Sequence, residues 1–271
     1  METFLYIIIF ITGTFFGSFC TLAVYRIPRG EDIIYKHSYC PNCNHKLGIL
    51  DLFPIFSYIF LRGKCRYCDE KIRIRYLLLE VLSGIVFLLF SLSLRINWFS
   101  PIIDYKIMIN FIVTLLYFVT LFIIAGIDKE KVQIQKSVII FGLLTKLINI
   151  IYVYTLQKNS IYAYVIFLVF MLIFLLADTY ILKQTLKSNY ALQILILCMY
   201  ILMYSQMEQF ILTLEMTLFT ILLEDILLSI KEKIRKSPLR EDNKDKKIPV
   251  GFYLCISNIA VIIISNLLNI H

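Results

Sequence analysis

Long apolar runs dominate this chain, and about 20 consecutive apolar residues are what an α-helix needs to cross a bilayer. Eight runs read as spans: 3–25, 76–94, 106–127, 137–157, 160–182, 190–205, 209–230 and 249–269, the sixth being the shortest. Apolar residues make up 59% of the sequence and charged residues only 17%, far from the balance of a soluble domain. The first run lacks a basic leading region and a small-residue cleavage site, so it reads as a retained helix and not as a removed signal.

Charge gives these spans a direction. Ten Lys and Arg residues lie between Arg26 and Arg75 and eight between Lys231 and Lys247. The short connections Lys129–Lys136 and Lys183–Lys187 are basic too, whereas those around Asn97–Lys106, Lys158 and Ser205–Gln209 carry few positive charges. Positive charge stays on the cytoplasmic side of a membrane. Eight alternating spans then put all four basic connections in the cytoplasm and both termini outside. The net charge of +8 is therefore juxtamembrane, where topology and anionic lipid account for it, and no nucleic-acid partner is expected.

The first basic loop contains two Cys-x-x-Cys pairs, Cys40-Pro-Asn-Cys43 and Cys65-Arg-Tyr-Cys68, with 21 residues between them. Four thiolates at this spacing close a tetrahedral shell around zinc. With four cysteines no position is left for a water, so the zinc is expected to be structural. Thiols kept as ligands also imply a reducing compartment, in agreement with the charge pattern. His45 beside the first pair is a spare donor that a complete shell does not need, and neither His37 nor His271 suggests a role. Cys20, Cys198 and Cys255 stand alone in apolar spans and read as small core residues.

An ordered series of short motifs surrounds these cysteines. It runs Gly17-Ser18-Phe19, Arg26-Ile27-Pro28, Ser38-Tyr39-Cys40-Pro41-Asn42-Cys43, Asp51-Leu52-Phe53-Pro54-Ile55-Phe56-Ser57-Tyr58, Gly63-Lys64-Cys65-Arg66-Tyr67-Cys68, and Arg75-Tyr76 with Glu80. From residue 13 to about residue 80 the sequence resembles the N-terminal part of the bacterial type IV prepilin peptidases. The resemblance implies an inner-membrane enzyme that removes the basic leader of prepilins or pseudopilins on the cytoplasmic side. It also implies that the enzyme can methylate the new N-terminus with S-adenosylmethionine. Cleavage in that family is aspartic-protease chemistry of the GxGD type. One carboxylate deprotonates water while a second, protonated carboxyl hydrogen-bonds the scissile carbonyl; two close carboxyls do not readily both ionise.

By this resemblance the first acid is Asp128, in Ala125-Gly126-Ile127-Asp128 at the end of the third span. Ile134-Gln135 stands where the family has Ile-Pro. The alternative reading is a helix-end carboxylate paired with Lys129 or Lys131. The second acid is not where the family has it. Counting about sixty residues forward leads to Lys187-Ser188-Asn189-Tyr190, which has neither glycine nor aspartate. An asparagine there is neutral and cannot act as an acid or base. Asp178, in Leu176-Ala177-Asp178, is the replacement candidate, because an ionisable side chain inside a span usually faces a cavity or a partner. The alternative for Asp178 is a bond to a tyrosine hydroxyl or to Lys183 that only steadies the bundle.

Asp225 is a lower-ranked substitute. Glu80, Glu215 and Glu224 read as polar contacts between helices. Lys247-Ile248-Pro249-Val250-Gly251-Phe252 resembles the segment before the family's last span, in part.

The expected architecture is an all-α polytopic membrane protein of about eight spans with a small cytoplasmic zinc-binding loop. It divides into a first helix at 1–25, a zinc loop at 26–75 that the resemblance associates with methyl transfer, and a peptidase-like bundle at 76–271 with a basic loop at 231–247. Leu47–Tyr58 is apolar enough to lie against the membrane. Two functions follow: an active, divergent prepilin peptidase using Asp128 and Asp178, or a proteolytically inactive relative that serves as a membrane scaffold or pilin-binding assembly factor. A docking module on an unrelated transport protein is a third reading, disfavoured by the ordered motifs.

Overall fold

The structure is a computed structural model that describes residues 2–95, 105–157, 189–235 and 248–268, with scattered positions between 165 and 180. Eight α-helices are found among the described residues: α1 (Glu2–Arg26), α2 (Phe56–Phe60), α3 (Arg75–Ser93), α4 (Tyr105–Lys131), α5 (Lys136–Gln157), α6 (Tyr190–Tyr204), α7 (Met207–Arg235) and α8 (Val250–Leu268). No strand is present among them; two isolated bridges, Tyr39 with Lys46 and Lys64 with Lys71, lie between α1 and α3. The chain forms two compact units, Met1–Val119 and Thr120–His271.

Among the described residues four helical stretches are long and apolar enough to cross a membrane: Thr3–Arg29, Arg75–Ser93, Ile107–Lys131 and Val250–Leu268. They match the first, second, third and last expected spans, and this is an integral membrane protein. The fourth expected span coincides with α5, and the fifth, 160–182, lies largely outside the described residues. At 190–205 the helix is only 15 residues long, about 22 Å, too short to cross a hydrocarbon core of about 30 Å unaided. The seventh expected span lies within α7, which carries Glu208, Glu215, Glu224 and Asp225, acids that are costly inside a membrane.

Two glycines four apart set the packing of the first unit. Lipid tails are as apolar as leucine, so helices in a membrane associate through close backbone approach and interhelical hydrogen bonds. At Gly13 on α1 a Cβ would come within 2.8 Å of the Ser83 carbonyl oxygen on α3, and at Gly17 within 2.8 Å of the Glu80 Cα. Ser83 uses that proximity, its hydroxyl donating to the Gly13 carbonyl at 2.8 Å.

In the second unit the contacts between helices are polar as well as apolar. The Thr120 and Tyr200 hydroxyls bond at 2.7 Å, Tyr204 donates to the Gly142 carbonyl at 2.7 Å, and Asn258 donates to Ser205 and Thr213 at 2.9 and 3.1 Å. Hydrogen bonds of this kind fix which faces of α4 to α8 meet.

Candidate active site and metal centre

The loop between α1 and α3 folds as two knuckles built alike. In the first, Cys40 N donates to His45 O at 3.0 Å and Asn44 N to Cys40 O at 2.9 Å. In the second, Cys65 N donates to Glu70 O at 2.9 Å and Asp69 N to Cys65 O at 3.1 Å. The residue after each second cysteine, Asn44 or Asp69, has φ of 56° or 55°, a left-handed conformation that Asn and Asp accept better than other side chains. Both turns thereby point two sulfurs inward.

All four sulfur atoms lie within 4.8 Å of one another, with Cys40 and Cys68 at 3.8 Å. Zinc–sulfur bonds of about 2.3 Å at tetrahedral angles separate the sulfurs by about 3.8 Å, so this cluster fits the metal. Burial disfavours a thiolate at Cys40, but hydrogen bonds from the Cys43 and Asn42 amides outweigh it and bring the group down to about 7. At Cys68 the Glu70 amide favours the thiolate, yet burial and the neighbouring thiols push the group up to about 11. Thiols this close share negative charge only with difficulty, and a cation at their centre removes the conflict. His45 is not needed as a ligand; it stacks on Tyr67 with ring centroids 3.6 Å apart.

Side chains outside the shell brace it. Asp51 accepts from the Gly48 amide at 3.1 Å, from Arg66 Nε at 2.7 Å and from the Tyr67 hydroxyl at 3.3 Å. It thus ties the intervening segment to the second knuckle. Burial works against the Asp51 charge, but the Gly48 amide and the Arg66 guanidinium overcome it and hold the carboxyl below its usual range. Arg26 is buried and donates to the carbonyls of Asp32, Lys36 and His37, an anchor at the end of α1 that its place in Arg-Ile-Pro did not explain. Glu80 is buried as expected. Its Oε2 accepts from the Ile55 amide at 2.8 Å, holding a residue whose φ is 63°.

The second unit builds a site around Asp128, in the last turn of α4 and fully buried. Lys129 lies instead over the Phe252 ring at 4.2 Å. Asp128 Oδ2 accepts from the Tyr190 hydroxyl at 2.9 Å and from the Phe252 amide at 3.0 Å. That amide belongs to the first turn of α8, whose exposed N–H groups and dipole favour a negative charge. Gly251 makes the approach possible, since a Cβ there would lie 2.9 Å from Oδ2 and 3.2 Å from Cγ. The other oxygen, Oδ1, is buried without a hydrogen-bond partner among the described residues.

The turn after Asp128 is held as firmly. Val132, with φ of 50°, returns its amide to Asp128 O at 2.8 Å. Ile134 is buried and its amide donates to Gln193 Oε1 at 3.0 Å. The isoleucine that survives from the Ile-Pro position thus packs at the site, its amide held by Gln193 on α6.

Of the other predicted acids, Asp178 lies outside the described residues. Glu215, Glu224 and Asp225 are exposed on α7, and among the described residues no side-chain bond joins Glu215 or Glu224 to a neighbouring helix. Asn189 is exposed and caps α6, its side chain accepting from the Leu192 amide at 3.4 Å. The participants that sequence reasoning missed are Tyr190, Gln193 and the Gly251–Phe252 backbone. One signal was present: Pro249, just ahead of Val250, is a residue favoured at helix starts, and helix starts receive anions.

The chain is similar to several known proteins. Residues 11–94 match a family model described as the bacterial peptidase A24 N-terminal domain. A prepilin leader peptidase/N-methyltransferase of Vibrio cholerae is 33% identical over 165 residues, 58% of this chain and 58% of the relative. One of Bacillus subtilis is 34% identical over 115 residues, covering 41% and 46% of the two chains. One of Myxococcus xanthus is 31% identical over 111 residues, covering 41% and 32%. The chain therefore spans between about a third and three-fifths of the length of these relatives. No solved structure matches. The stretch that matches the family model runs from α1 through the cysteine knuckles to the end of α3, and over it the chain is similar to the bacterial peptidase A24 N-terminal domain.

Proposed function

We propose that this protein cleaves the leader of type IV prepilins or pseudopilins at the cytoplasmic face of the inner membrane, with Asp128 as one of two catalytic acids. The observation that carries the reading is the state of the Asp128 carboxyl. It is buried at a helix end, with one oxygen clamped and the other without a partner among the described residues. Asp178 is the proposed second acid. In this scheme Asp128 takes a proton from a water, whose oxygen attacks the scissile carbonyl carbon. The protonated Asp178 hydrogen-bonds the carbonyl oxygen, and its proton goes to the departing amine as the carbon–nitrogen bond breaks.

The three-part division at 1–25, 26–75 and 76–271 belongs to this reading. Cys40, Cys43, Cys65 and Cys68 would hold a structural zinc that supplies folding energy to a loop too short for a core of its own. Exposed Ile49, Leu50 and Phe56 suit contact with the bilayer surface. Methylation of the new N-terminus by S-adenosylmethionine rests on the names of the relatives and no residue is assigned to it.

The test is co-expression with a prepilin from the same genome, scoring leader loss by mass. The intact chain should cleave, and Asp128→Asn and Asp178→Asn should not. Absence of cleavage by the intact chain would favour the scaffold role, and cleavage surviving in Asp178→Asn would move the second acid elsewhere.

A further inference from the structure

We infer that Tyr190 is a positioning residue for Asp128, holding its Oδ2 by a hydrogen bond so that Oδ1 faces the attacking water; this rests on the peptidase reading above. Tyr190 follows Asp128 by 62 residues, the register where the second acid was sought and not found. The structure puts at that register a phenol that reaches the first acid.

Three features fix the phenol in place. Asn189 caps α6, so Tyr190 is the first residue of a helix with a set direction. The Tyr190 oxygen also accepts from the Gly251 amide at 3.3 Å, which leaves its own proton for Asp128 Oδ2. One turn along α6, Gln193 accepts from the Ile134 amide. Residues three apart share a helix face, so α6 grips the turn after α4 at both ends, once at the carboxylate and once at the backbone.

The division of labour between the two oxygens follows. Oδ2 receives the Tyr190 hydroxyl and the Phe252 amide, while Oδ1 has no partner among the described residues. A carboxylate held this way cannot rotate to offer the wrong oxygen. Orientation of a base at a reacting group is worth large factors in rate and little in substrate affinity. Tyr190 is half-buried and does not itself need to touch the substrate.

The experiment is steady-state cleavage of a prepilin peptide by the full-length detergent-solubilised protein, with Tyr190→Phe, Asp128→Asn and the double variant compared. Tyr190→Phe keeps the ring and loses only the hydroxyl. It should lower kcat about 10- to 100-fold, the loss expected for one hydrogen bond to a charged group, with KM within about 2-fold of the intact protein. Its thermal midpoint should stay near that of the intact protein, and in the Asp128→Asn background the same change should have no further effect on residual rate. An unchanged kcat, or a loss confined to KM, overturns the inference while the peptidase reading stands. No cleavage by the intact protein overturns the reading and this inference with it.

Discussion

The cysteine knuckles and the Asp128 site are both small polar constructions in a chain made mostly of apolar helix, but they are assembled in opposite ways. Every participant in the knuckles lies between Ser38 and Ile72, and the two halves repeat one local pattern of backbone bonds. The Asp128 site draws on three helices, with partners 62 and 124 residues away in sequence. A metal cluster made from neighbouring residues shows itself in spacing. A carboxylate satisfied by a distant phenol and a distant amide does not.

The largest expected effect breaks the second region. Asp128→Asn keeps the side chain's size and removes its charge, and cleavage measured by mass should fall by at least about 1,000-fold, as for loss of a catalytic acid or base. A residual rate within 10-fold of the intact protein would remove Asp128 from the chemistry. Next, Cys43→Ser takes one donor from the first region. Zinc measured on the purified protein should drop from about one equivalent to near zero, and the loop should become sensitive to protease because metal binding is part of its folding. Zinc retained at full occupancy would refute the four-cysteine shell.

Gly251→Ala sharpens the contrast between structure and chemistry. Alanine is the better helix former, so the start of α8 loses nothing by propensity. Its Cβ, however, would meet Asp128 Oδ2 at 2.9 Å and force the carboxylate aside. Cleavage should drop about 10-fold or more while the thermal midpoint is held. The smallest effect is in the knuckles: Asp51→Asn should cost the loop about 1 kcal/mol, read from the denaturant midpoint for protease resistance. Because the Asp51 carboxyl is held below its usual range, its contribution is full above the unfolded value of about 3.9. It is lost as pH falls through the lower folded value, and the asparagine variant should lack that acid-side loss.

Much of the fold was legible because bilayer thickness converts apolar length directly into helix. The runs at 3–25, 76–94, 106–127 and 249–269 all became helices able to span. Length alone was less informative at 190–205, where α6 is short, and at 209–230, where the acids of α7 interrupt the apolar character. The approach of α1 to α3 through Gly13 and Gly17 depends on which faces meet, and a run of apolar letters carries no such information. Asn189 shows the same limit at the site. In the sequence it looked like an acid that had been lost, whereas in the fold it is a helix cap that places its neighbour.

The sequence by itself determined the membrane character and the four-sulfur cluster, because each depends on residue type and short-range spacing, whereas Asp128 was singled out by family resemblance. Tertiary structure alone decided what surrounds Asp128: the Tyr190 hydroxyl, the Phe252 amide and the space left by Gly251. The reason is physical. A buried carboxylate must be satisfied by whatever the packed helices bring to it, and a backbone amide looks the same in every residue until the fold aims one at a charge.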